Sequence, residues 1–98
     1  MPYAPSLAWA PLAGPEEASI VADRDARLER YADFLRIPSV SALPEHAADC
    51  RKAAEWLAAQ LRRIGASRVE VSPTAGHPIV VAERIEDPSL PTIVVYGH

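Results

Sequence analysis

Residues 46–66, HAADCRKAAEWLAAQLRRIGA, limit the fold more than any other stretch of this chain. Cys50, Ala54, Leu57, Leu61 and Ile64 follow one another at alternate steps of four and three. That spacing lays a continuous apolar stripe along one side of a helix, and such a stripe has to be covered by another layer. Arg62 and Arg63 stand at the negative end of the helix dipole. Gly65 is placed to end the helix in a left-handed conformation. Cys50, lying on the stripe, reads as a small buried hydrophobe. Arg51, Lys52, Glu55, Arg62 and Arg63 read as the solvated side of the same helix rather than an anion site.

Immediately after Gly65 the period changes to two. Val69 and Val71 alternate with Arg68, Glu70 and Ser72, the pattern of a strand with one wet face. PTAGHP (73–78) turns the chain into IVVAERI (79–85), which predicts a hairpin. DPSLP (87–91) makes another turn before TIVVY (92–96), an uncharged run rich in β-branched residues that predicts a strand covered on both faces. Upstream, Leu28, Tyr31, Ala32 and Leu35 share one face and predict a helix from Glu17 to Leu35. Pro38 stops it, because the residue before a proline is driven out of the helical region. In the link IPSVSALP, Ser39 and Ser41 lack the flanking glycines of a nucleophile elbow and read as helix caps. The expected fold is α/β: two N-terminal helices followed by three strands, the helices covering the opening strands of a larger sheet.

The first fifteen residues, MPYAPSLAWAPLAGP, carry no charged side chain and four of the ten prolines, and read as an irregular leader (1–15). They lack the basic start and unbroken apolar core of a signal peptide. Residues 16–98 amount to at most one domain. Ten basic and thirteen acidic residues are mixed along the chain, which argues against a nucleic-acid partner. No apolar run reaches the length of a membrane span. Cys50 is the only cysteine, so an intrachain disulfide is impossible and a reducing, cytoplasmic location is expected.

The pair Gly97-His98 follows the predicted buried strand. In open α/β sheets ligands bind outside the carboxyl ends of the strands. Gly97 would let a metal or substrate approach the backbone there, and the imidazole of His98 is a common zinc ligand. His77, between Gly76 and Pro78, and His46, near the helix start, do not pair with His98 at any ligand spacing and read as structural. Tyr31 belongs to the core-facing stripe of the first helix, and Trp56 falls beside the stripe of the second, so neither points to an aromatic binding box. No glycine-rich loop follows any strand, which disfavours a nucleotide-binding domain.

The stretches FLRIPSVSALPEHAADCRKAAEWLAAQLRRIGASRVEV (34–71), GHPIVVAE (76–83) and PTIVVYGH (91–98) resemble the amino-terminal part of the aminoacylase and carnosinase family of dinuclear zinc peptidases, the dipeptidase branch in particular. Relatives in that family include acetylornithine deacetylase and succinyl-diaminopimelate desuccinylase. The likeness extends over about residues 20–98. It implies that residues 16–98 are the incomplete N-terminal part of a mixed-sheet catalytic domain, with His98 a ligand of one of two zinc ions. The remaining ligands, the bridging carboxylate and the general-base glutamate would all lie downstream, so the resemblance assigns no catalytic residue within this chain. It implies hydrolysis of dipeptides or N-acyl amino acids, and a homodimeric full-length protein. Two cations polarise the carbonyl and acidify a bridging water, and a glutamate moves the proton. A catalytic zinc normally takes three protein donors, so His98 alone is expected neither to hold zinc tightly nor to support activity. The alternative expectation is a small noncatalytic α/β interaction module that uses TIVVY as a pairing edge.

Overall fold

The computed structural model describes residues 14–98. The chain divides into two units, residues 1–33 and 34–98. The predicted leader falls almost entirely outside the described residues; its last two, Gly14 and Pro15, open a helix.

The first unit holds α1 (Pro15–Ala22) and most of α2 (Arg24–Leu35). Gly14 caps α1 with φ 80°, and Pro15 enters at the first position, where its missing N–H is no loss. Glu16 and Glu17 sit in the first turn, as the dipole favours. The single helix predicted from Glu17 to Leu35 is instead two helices that part at Asp23, whose φ/ψ of −90°/3° leave the helical region. Aspartate competes for backbone hydrogen bonds and prefers helix ends to interiors. The interruption is one residue wide: Asp23 N–H still bonds the Ser19 carbonyl at 3.1 Å, and its own carbonyl accepts from Arg27 at 2.9 Å. The predicted core face also needs correction, because Leu28, Tyr31 and Leu35 are exposed and neither helix has a buried residue. Periodicity decides which side chains share a face, but burying that face takes a second layer.

In the second unit a 3-10 turn at Pro44–His46 leads into α3 (Ala47–Arg63). The helix ends in a complete Schellman motif. Gly65, at φ 95°, donates to the Arg62 carbonyl at 3.1 Å, and Ala66 donates to the Leu61 carbonyl at 3.0 Å. This is the left-handed stop that the sequence predicts. The hairpin follows as β1 (Arg68–Ser72) and β2 (Ile79–Glu83), paired antiparallel from Arg68 opposite Glu83 to Ser72 opposite Ile79.

The alternation in β1 is realised. Val69 and Val71 are half-buried and face Ala82 and Val80, also half-buried, across the ladder. These four form the side of the hairpin that α3 covers, since α3 packs against both strands. The opposite side carries Ile79 and Val81, both about half exposed, among Arg68, Glu70, Ser72 and Glu83.

The core lies where α3 meets the strands, and its buried members among the described residues are Ala53, Ala54 and Ala58. Of the predicted stripe only Ala54 is buried; Cys50 and Leu61 are half-buried, while Leu57 and Ile64 are exposed. The physical reason is width. A two-stranded layer offers α3 only one row of inward side chains per strand, Val69 and Val71 beside Ala82 and Val80, so it covers only the line of α3 directly above it. The short alanines let the backbone of α3 approach that layer, and the larger side chains on the flanks extend past its edges.

The predicted third strand is absent among the described residues. The sheet has two strands, and residues 91–98 carry no regular structure. Ile93, Val94, Val95 and Tyr96 are 86%, 88%, 89% and 83% exposed. A β-prone run becomes a strand only when a neighbour takes up its backbone groups, and composition does not supply that neighbour. The class is mixed α/β: three α-helices and a two-stranded antiparallel sheet among the described residues, with α3 packed on the sheet. No described helix is long and apolar enough to cross a membrane.

Candidate functional site

His98 follows Gly97 in the exposed stretch after Pro91. A side chain built at Gly97 would meet no atom of the described residues within 4 Å. Residues 92–96 pair with no strand among the described residues, so His98 follows an unpaired stretch rather than a sheet strand. Among the described residues no group of three or more His, Cys, Asp or Glu side chains is arranged to hold a metal ion.

The other two histidines serve as ties. His46 caps α3 from the 3-10 turn, and its Nδ1–H donates to Asp49 Oδ2 at 2.8 Å across the first turn. His77 donates from Nε2 to the Ser41 carbonyl at 2.8 Å, joining the hairpin turn to the link before α3. A carbonyl can only accept, so Nε2 carries the proton. The turn itself is braced by Thr74, whose hydroxyl donates to the His77 carbonyl at 2.6 Å and accepts from the Gly76 amide at 3.0 Å.

The serines do not act as predicted. Leu43 and His46 occupy the cap positions of the 3-10 turn and of α3, and neither makes a side-chain cap bond. Ser39 and Ser41 lie too far upstream. Ser39 turns the chain through its backbone, with its amide on the Ile37 carbonyl at 2.7 Å.

Trp56 stacks on Phe34, with ring centroids 5.2 Å apart and planes inclined by 27°. Both rings are half-buried, and they join the start of the unit to the middle of α3. Spacing on α3 puts Trp56 beside the stripe but has no means of naming Phe34 as its partner. Arg84 closes the far end: Nη1 donates to the Ile64 carbonyl at 3.1 Å, and Nε donates to Glu86 at 2.8 Å. Nothing in the local sequence signals that contact, which spans twenty residues.

Two shallow hollows mark the surface of this unit. One, of about 230 Å³, lies between the first turns of α3 (Ala47, Arg51) and the hairpin turn (Thr74, His77). The other, of about 380 Å³, is formed by residues 84–87 and 90–93. There Asp87 accepts from both the hydroxyl and the amide of Ser89, which holds its carboxyl below the usual carboxylate range. The Glu70 carboxyl is likewise lowered, chiefly by the Ser72 hydroxyl and then by Arg68. Both carboxylates are fully exposed, and neither faces His98 across a hollow. No protein-family model matches this chain, and neither a curated protein nor a solved structure matches it.

Proposed function

We propose that these residues are the amino-terminal part of a zinc-dependent hydrolase of the aminoacylase and carnosinase type, which cleaves amide bonds in dipeptides or N-acyl amino acids. In this reading His98 is one ligand of a two-zinc centre, and the other donors come from further along the polypeptide. The observation that carries the proposal is the run 92–96: uncharged, β-branched, almost fully exposed, and leading directly to Gly97 and His98. Burying one such side chain is worth about 1.5–3 kcal/mol, so a run of this kind gains most inside a wider sheet. A strand there would bring His98 to the carboxyl end, where α/β proteins bind ligands. The likeness through RIPSVS, the helix from Arg51 to Gly65 and PTIVVYGH supports the same reading. Zinc in such a centre acidifies water and polarises the scissile carbonyl. A lone cysteine suits a cytoplasmic enzyme. The whole enzyme is proposed to be a homodimer.

The test is the reading frame around the His98 codon and the activity of its whole product. An aspartate two codons downstream, together with chelator-sensitive dipeptide hydrolysis that His98→Ala lowers by orders of magnitude, would support the proposal. Hydrolysis indifferent to both chelation and His98→Ala would overturn it.

The exposure of Ile93, Val94, Val95 and Tyr96 also favours a second reading, a noncatalytic module whose run 92–96 pairs with another chain. Light scattering separates the two for the 98-residue chain. A defined dimer that Val94→Lys dissociates speaks for the module, and open-ended aggregation speaks for a strand meant for a larger sheet.

A further inference from the structure

We draw no further inference here: the strongest candidate, the exposed apolar run of residues 93–96 together with the uncovered Ile79 and Val81 side of the β1–β2 hairpin, is an unpartnered surface, and nothing in the structure shows what covers it.

Discussion

His77 reaches 36 residues back along the chain to donate a 2.8 Å hydrogen bond from Nε2 to the carbonyl of Ser41. The bond closes the hairpin turn onto the link that feeds α3. It is exposed, so water competes for both groups, and its net worth sits at the low end of the usual range. His77→Ala is expected to cost about 0.5 kcal/mol, read as a lower urea midpoint at unchanged slope. His77→Gln, which retains an N–H donor, should recover part of the loss. Equal midpoints for all three proteins would show that the bond contributes nothing.

Gly65 sits at φ 95°, and a methyl group there would lie 3.7 Å from the Arg84 guanidinium, an ordinary contact distance. The strain of Gly65→Ala is therefore conformational rather than steric. A non-glycine residue in the left-handed region costs about 1–2 kcal/mol, and chemical denaturation should show that loss. Gly65→Asn should lose less, because asparagine tolerates this region. A neutral Gly65→Ala would mean that α3 does not end in the Schellman motif.

Ala58 is 1% exposed, whereas its neighbour Leu57 is 38% exposed. Enlarging Ala58 to Leu wedges α3 away from the hairpin and is expected to destabilise by about 1–3 kcal/mol. Leu57→Ala, at a site already partly in water, should cost less than the 2–5 kcal/mol, roughly, of a buried leucine. The order of the two thermal midpoints checks which line of α3 faces the strands. If Leu57→Ala proved the more damaging change, the buried face would follow the predicted stripe instead.

Glu70 accepts from the Ser72 hydroxyl at 2.8 Å and from Arg68 at 3.3 Å, and its folded carboxyl is lowered for those reasons. A carboxyl lowered by folding adds stability that is complete above its unfolded pKa and disappears as pH falls through the folded value. That window lies below about pH 4.3, the ordinary glutamate value. Ser72→Ala should raise the Glu70 pKa in a carbon-detected NMR titration and flatten the acid side of the stability profile. The group is fully exposed, so the change in the profile should be small and should fade in high salt. An unmoved titration in Ser72→Ala would exclude the serine as the cause.

Much of the second unit is legible in the sequence because its signals are local. The change of period from 3.6 to 2 at Gly65 locates the end of α3 and the start of β1 within a few residues, and PTAGHP marks the hairpin. Gly65 itself is readable because only glycine adopts a positive φ at little cost. The parting of α1 from α2 at Asp23 is harder to see, since apolar spacing carries no information about a one-residue departure of φ/ψ. His98 is recognisable only as a residue type in a motif. No spacing within this chain supplies it with further donors.

What residue order alone determined here is the run of α3, β1 and β2, the glycine that ends α3, and which side chains share a face. Tertiary structure decided which of those faces is covered. Ala53, Ala54 and Ala58 became the core in place of the larger stripe residues, Phe34 found Trp56, His77 found Ser41, and residues 92–96 stayed exposed. The reason is that periodicity and turn chemistry are properties of neighbours in sequence, whereas burial depends on the width and position of a second layer contributed by residues far along the chain.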